Sequence, residues 1–131
     1  MATWNNLDTL ASYKKLAGLK NHVDIKEAMS GENGATRVAK YSAPMAEGLS
    51  FNYAAKQVDD KVLAALAKLA DEAQLAEKFE ALYNGEVINT GEKRLVLHHM
   101  TRGQLGEAVE ADGVDKRTFY TEQQEIGRAH V

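Results

Sequence analysis

The chain has 131 residues, of which 44% are hydrophobic and 27% charged, a composition typical of one ordinary globular domain. With 16 basic and 19 acidic residues, and no basic run longer than Lys14–Lys15, a nucleic-acid partner is not expected. The absence of cysteine excludes a disulfide scaffold and fits a cytoplasmic protein. Neither a signal peptide nor an apolar run of membrane-spanning length is found, so no membrane partner is expected.

The first third of the sequence is predicted to form short helices. Asn5 or Asn6 can cap a helix over residues 7–19, and Asp24 can cap a shorter helix over residues 25–29. Gly31, Asn33 and Gly34 are expected to break the chain before a further helical turn or two at residues 35–41. Pro44 and Gly48 then bracket a predicted loop.

Residues 49–55 are predicted to form a half-buried strand, because Leu49, Phe51 and Tyr53 alternate with polar side chains. A lone strand cannot satisfy its backbone hydrogen-bonding groups. The sequence offers few candidate partner strands, which indicates that the chain is part of a larger fold.

The strongest predicted helix begins at Asp59 or Asp60 and runs to about Tyr83, since apolar residues recur at helical spacing and alanines are frequent. Leu66 and Leu69 lie near its centre, and at least one of them is expected to be buried. Gly85 is well placed for a left-handed cap at the end of this helix.

The remaining segments are predicted to be shorter. Residues 87–97 form a loop with short extended pieces, residues 104–110 a brief helix or turn, Asp112–Gly113 a turn, and residues 116–124 begin a last helix. The expected fold class is therefore mostly α with one or two short strands.

Adjacent His98 and His99 are the most tempting candidates for a metal site. On a strand they would point to opposite faces, and on a helix they would lie about 100° apart, so one metal ion could not bind both. No nearby spacing supports a site, and we expect one histidine to make hydrogen bonds and the other to lie at the surface.

A second candidate is the charged cluster of Glu86, Glu92, Lys93 and Arg94 beside Asn89. Two carboxylates could serve acid–base chemistry if one were buried, but surface charges that pair with one another are commoner. Asn89 is expected to bond backbone groups in a turn. The glycines make no phosphate-binding loop after a strand, so no nucleotide motif is present.

These motifs belong to a segment that is informative as a whole: YNGEVINTGEKR at residues 83–94, followed by LVLHHMTR at residues 95–102. It resembles the segment that phosphoglucose isomerases write as S/N-G-E-x-I-N-x-T-E-x-R and then x-V-L-H-x-x-x-R. Gly91 stands where that family usually has threonine, and HMT at residues 99–101 replaces a more apolar run. The residues in register are Gly85, Glu86, Ile88, Asn89, Glu92, Arg94, Val96, Leu97, His98 and Arg102.

Weaker similarity extends over Trp4 to Glu125. Tyr53 and Val58 keep their places in a family strand, and Arg37 and Tyr41 loosely match an N-terminal family motif. The resemblance implies the N-terminal helical segment, residues 1–125, of a larger isomerase built from two αβα (SIS-like) domains.

The resemblance also implies the activity of the parent. That enzyme interconverts glucose 6-phosphate and fructose 6-phosphate as a cytoplasmic homodimer without a cofactor, by means of histidine, lysine and glutamate residues and a phosphate-binding loop. None of those roles falls on a matching residue here. We therefore assign no catalytic, cofactor-binding or metal-ligating residue to the chain, and we expect it to be inactive alone.

Two further expectations concern what kind of protein the chain is. The last residues, IGRAHV at 126–131, have no counterpart in the family and match what the start of a common sequencing adapter would encode, so they are expected to be a non-native tail. The alternative is a natural, divergent C-terminus. The alternative to an isomerase segment is a free-standing helical protein-interaction module. A reading frame that continues into a phosphate-binding loop would favour the isomerase.

Overall fold

The computed structural model describes residues 2–102 and 106–128. The chain divides into two compact units, one formed by Asn5–Ala73 and the other by the described parts of Met1–Trp4 and Gln74–Val131. Helices dominate both units, which confirms the predicted mostly α class. The predicted number of strands was too low, because the described residues contain three antiparallel pairs of short strands.

The Asn5–Ala73 unit contains four α-helices. The predicted helix over residues 7–19 is shorter than expected, because Leu10 is extended (φ −76°, ψ 142°) and separates a 3-10 turn at Leu7–Thr9 from the first helix. Asp24 caps the second helix as predicted, accepting the Lys26 N–H at 2.9 Å. The four helices are α1 (Ala11–Ala17), α2 (Ile25–Ala28), α3 (Gly31–Lys40) and α4 (Asp60–Glu72).

The predicted break at residues 31–34 was wrong, because α3 begins at Gly31 and passes through Gly34. A Cβ atom on Gly34 would lie 2.4 Å from the carbonyl oxygen of Met29. Gly34 therefore allows the backbone just after α2 to pass close to α3, rather than ending a helix.

The strand near residue 50 has a partner within the chain. β1 (Ser42–Pro44) pairs antiparallel with β2 (Ser50–Asn52), with Ala43 opposite Phe51, and the loop expected between Pro44 and Gly48 connects them. The chain offered few candidates for this partner, and the inference that the strand needs a larger fold to find one was wrong. The predicted half-buried face was wrong at Leu49 and Phe51, which are 67% and 55% exposed, whereas Tyr53, just after the strand, is half-buried.

Arg37 organises the interior of this unit. Its buried guanidinium donates hydrogen bonds to the carbonyl oxygens of Ala54 (2.7 Å) and Lys56 (2.9 Å) and lies 4.6 Å from the centre of the Tyr41 ring. A third hydrogen bond reaches the Val58 oxygen. Because three backbone oxygens share one side chain, Arg37 fixes the segment that leads into α4.

The packing of α4 differs from the prediction. Asp59 caps the helix as expected, accepting the Val62 N–H at 2.8 Å. Val62 is buried, whereas Leu66 is 39% exposed and Leu69 is half-buried. The expectation that Leu66 or Leu69 is buried was wrong. The buried residue of α4 is Val62, which lies one turn before Leu66 on the same side of the helix.

The predicted single helix over residues 59–83 is two helices. Gln74 adopts a left-handed conformation (φ 54°, ψ 47°), so α4 ends at Glu72 and α5 (Leu75–Tyr83) begins after it. The Gln74 side chain accepts the Thr3 N–H at 2.8 Å. No glycine or proline marks this break. It is accompanied by a hydrogen bond between residues that are far apart in the sequence, so the helical spacing of apolar residues could not reveal it.

The second unit continues with two hairpins and a final helix. Gly85 (φ 71°) forms the predicted left-handed cap, with the Glu86 N–H bonded to the Ala81 oxygen at 2.9 Å. The Asp112–Gly113 turn and the last helix agree with the predictions. The elements are β3 (Val87–Asn89), β4 (Arg94–Leu95), β5 (Glu110–Ala111), β6 (Val114–Asp115) and α6 (Lys116–Arg128).

The helix or turn expected at residues 104–110 lies partly outside the described residues, and the described part from Gly106 to Val109 contains no helix. The expected non-native tail also lies partly outside them, and α6 extends to Arg128. Across the described residues, no helix combines the length and the apolar character needed to cross a membrane.

Candidate functional site

The segment that carries the most specific motif converges on one main-chain oxygen, that of Tyr83 at the end of α5. The His99 ring stacks on the Tyr83 ring with centroids 5.0 Å apart, and its Nε2 lies 3.3 Å from the Tyr83 oxygen. Arg117 at the start of α6 donates an Nη2 hydrogen bond of 2.7 Å to the same oxygen. We call these three residues the Tyr83 junction.

The Tyr83 junction is tightly packed. Arg117 is only 5% exposed and also donates to the Glu107 oxygen. Gly106 lies against it, since a Cβ atom there would be 2.9 Å from the Arg117 Nη2. Two buried nitrogens, His99 Nδ1 and Arg117 Nη1, have no hydrogen-bond partner among the described residues. Such a buried cluster is suited to positioning backbone and not to admitting a substrate.

The two adjacent histidines have different environments. His99 is half-buried in the Tyr83 junction, whereas His98 is exposed at the start of a 3-10 turn, His98–Arg102. This agrees with the expected pairing of one hydrogen-bonded histidine with one at the surface. Within residues 2–102 and 106–128, no group of three or more histidine or carboxylate side chains is placed to hold a metal ion.

The predicted charged cluster forms a turn between β3 and β4. Asn89 accepts the Glu92 N–H at 3.2 Å, and its side-chain amide donates to the Glu92 carboxylate at 3.3 Å. Arg94 lies 3.8 Å from the same carboxylate, with both side chains exposed, and Glu86 and Lys93 are exposed as well. The bond from Asn89 to the turn backbone is confirmed, and the exposed charges lack the burial that acid–base catalysis uses.

A groove that no sequence pattern predicted lies between α1 and α4. It has a volume of about 440 Å³, and Ser12, Lys15, Lys61, Ala65 and Lys68 are among the residues that line it. In the sequence, the alanines of this region were attributed to high helix propensity, and the lysines were attributed to the solvent-exposed face of the helix. The signal that could have revealed the groove is the small size of the side chains on the facing helices.

One carboxylate at the groove, that of Glu72, is already engaged. It accepts the N–H groups of Ala11 (3.3 Å) and Ser12 (2.8 Å), which lie in the first turn of α1. The nearby hydroxyl of Ser12 and then its backbone N–H lower the pKa of the Glu72 carboxyl. Glu72 therefore joins α1 to α4 and stays ionised at neutral pH.

Comparison with known proteins identifies the family to which the sequence is similar. The family model described as "Phosphoglucose isomerase" matches residues 52–126. This range contains the whole motif segment, including Tyr83 and His99, and also Arg117.

Curated relatives match almost the whole chain. A "Glucose-6-phosphate isomerase" of Treponema denticola is 46% identical over 121 residues, which cover 89% of this chain and 23% of the relative. Proteins of the same name from Treponema pallidum and Borrelia garinii are 41% and 37% identical, covering 93% and 95% of this chain and 23% of each relative. The chain thus spans about a quarter of the length of the curated relatives it matches.

Proposed function

The chain belongs to the phosphoglucose isomerase family, and on that premise we propose that residues 1–125 are the N-terminal helical segment of a glucose-6-phosphate isomerase. Residues 126–131 are a non-native tail in this proposal. The observation that carries it is the 46% identity to the Treponema denticola isomerase over 89% of the chain.

In this proposal, the whole protein interconverts glucose 6-phosphate and fructose 6-phosphate in glycolysis and gluconeogenesis. It acts in the cytoplasm as a homodimer of subunits with two αβα (SIS-like) domains and requires no cofactor. Its substrate is a sugar phosphate, and nucleic acids are not among its partners. The catalytic groups and the phosphate-binding loop come from the rest of the enzyme.

The contribution of this chain is structural. Two of the motif residues build a cap and a turn: Gly85 ends α5, and Asn89 closes the β3–β4 turn. His99, which lies in the same segment but departs from the family motif, packs in the Tyr83 junction. These contacts use the motif side chains for positioning backbone, which supports a scaffold role. The isolated chain therefore does not isomerise sugar phosphates.

A chimera in which residues 1–125 of this chain replace the matching segment of the Treponema denticola isomerase tests the proposal. The chimera should elute as a folded protein and convert fructose 6-phosphate in a coupled assay at a rate within about ten-fold of the parent relative. The isolated 131-residue chain should show no turnover above a heat-killed control. A folded chimera without activity would contradict the proposal and favour a helical interaction module.

A further inference from the structure

The groove between α1 and α4 has the form of a helix-binding surface. Ala11, Lys15 and Leu19 line it at intervals of four residues, and the α4 residues that line it extend from Lys61 to Glu72. The groove therefore follows α4 for about three turns, and on the other side it extends from the first turn of α1 to Leu19, just beyond the end of that helix. Small side chains on both helices would allow a third helix to approach closely.

The charges around the groove are one-sided. Lys15, Lys61 and Lys68 all line it and are all exposed. In the part of the chain that the structure describes, none of these three ammonium groups forms a salt bridge. The lysines that do form salt bridges are Lys40 and Lys116, outside the groove.

The positive charge around the groove is opposite in sign to the net charge of the whole chain. The whole chain carries a net charge of −3. Glu72, the carboxylate that lines the groove, is occupied by the N–H groups of Ala11 and Ser12. An approaching partner therefore meets an apolar groove bordered by three lysines. Lys15 is close enough to Glu72 to add to the effect of Ser12 in lowering the pKa of its carboxyl, whereas the two lysines of α4 form no salt bridge among the described residues, and such a border selects carboxylates.

We propose that this groove binds an amphipathic helix with acidic borders, supplied by the remainder of the isomerase. The inference rests on the proposed function, since the chain spans about 23% of the length of its relatives and the rest of such a protein must pack somewhere. Apolar side chains of that helix lie against Ala65 and its neighbours, and its carboxylates pair with Lys61 and Lys68. Recognition follows the helix-in-groove mode.

The first test measures whether the groove is covered in the chimera described above. The chain has no cysteine, so Ala65→Cys introduces a single thiol whose maleimide labelling can be followed by mass spectrometry of its peptide. In the isolated chain the thiol should label quickly. In the chimera, labelling should slow by about ten-fold or more, because a packed helix excludes the reagent.

A charge reversal identifies what covers the groove. Lys61→Glu with Lys68→Glu in the chimera should return much of the lost labelling rate, whereas Lys14→Glu, on α1 but outside the groove, should leave labelling slow. Equal labelling of the introduced thiol in the chimera and in the isolated chain would overturn the inference. An inactive chimera with a protected thiol would instead contradict the proposed function alone.

The second test needs no chimera. A fluorescent amphipathic peptide of about 20 residues, with glutamates beside a leucine stripe, is titrated into the isolated chain and followed by anisotropy. It should bind, and the Lys61→Glu and Lys68→Glu pair should weaken binding by about ten-fold or more. A control peptide of the same composition but with dispersed leucines should bind the wild-type chain no more tightly than the leucine-striped peptide binds the double variant. Absence of peptide binding would overturn the inference. So would protection of the Ala65→Cys thiol from labelling that increases with the concentration of the isolated chain, because that result would mean that a second copy of the chain covers the groove.

Discussion

The Arg117 guanidinium reaches back 34 positions to the main-chain oxygen of Tyr83, donating a 2.7 Å hydrogen bond while lying 5.1 Å from the centre of the Tyr83 ring. One side chain thereby joins the first turn of α6 to the last turn of α5. Because Arg117 is 5% exposed, these contacts are made away from water and their loss is not compensated by solvent.

Replacing this arginine should be strongly destabilising. Arg117→Ala should lower the free energy of unfolding by about 3 kcal/mol, since it removes the donor to the Glu107 oxygen and leaves the Tyr83 oxygen with only the longer contact to His99. Arg117→Lys should retain only part of that stability, because a lysine ammonium group keeps the positive charge but cannot reproduce the planar, forked geometry of the guanidinium. Urea unfolding followed by circular dichroism measures both. Arg94→Ala, at an exposed arginine, is the control and should change stability by less than about 0.5 kcal/mol.

Gly85 combines a left-handed backbone with a close contact, and the two effects can be separated. A Cβ atom at Gly85 would lie 2.3 Å from Val109 Cγ1, whereas one at Gly113 (φ 74°) would meet open space. Gly113→Ala should therefore cost only the backbone strain, about 1 kcal/mol, and Gly85→Ala should cost about 1–3 kcal/mol more.

Thermal melts of the two glycine variants and of a double variant measure this difference. Adding Val109→Ala to Gly85→Ala should recover part of the lost stability, because it removes the methyl groups in the way. Equal losses for Gly85→Ala and Gly113→Ala would mean that the contact with Val109 contributes nothing.

Val62, and not Leu66, should be the sensitive apolar position of α4. Val62 is 7% exposed and Leu66 is 39% exposed, so truncating Val62 removes buried methyl groups and leaves a cavity. Val62→Ala should lower the free energy of unfolding by about 1–3 kcal/mol, and Leu66→Ala by less than about 1 kcal/mol. The same denaturant titration compares them, and a larger loss for Leu66→Ala would show that α4 packs more tightly around Leu66 than around Val62.

The stability contributed by Asp115 should depend on pH. Its carboxylate accepts the Arg117 N–H at 3.1 Å, and the Thr118 hydroxyl at 2.6 Å. The Thr118 hydroxyl is the largest influence that lowers the pKa of Asp115, followed by backbone N–H groups such as that of Val109. A lowered pKa in the folded state means that the contribution is complete above the unfolded value, about 3.9, and is lost as pH falls through the folded value.

Asp115→Asn tests this sign. The variant should melt below the wild type at pH 7, and the difference should shrink as pH falls below about 4, because protonation removes the same charge from the wild type. Asp112→Asn, in the exposed β5–β6 turn, should show a much smaller pH-dependent difference from the wild type. A constant difference for Asp115→Asn across this range would show that the charge is not what stabilises α6.

The local features that the sequence determined by itself were those encoded by neighbouring residues. The Asp24 and Asp59 caps, the Gly85 termination, the Asn89 turn and the Asp112–Gly113 hairpin all follow from side chains that bond or relieve the backbone within a few positions. The motif at residues 83–102 likewise revealed the family, because its residues can be matched to the family segment without any knowledge of the fold.

Tertiary structure alone decided the features that depend on residues far apart in the chain. Gln74 breaks a periodic helix where it bonds Thr3, and Gly34 lies inside α3 against Met29. β2 finds its partner in Ser42–Pro44, which has no strand pattern of its own. Periodicity describes one helix at a time, so it could not show that α4 buries Val62 more deeply than Leu66 on the same face, or that α1 and α4 leave a groove bordered by lysines. Those outcomes depend on the neighbour that each face meets, which no local pattern specifies.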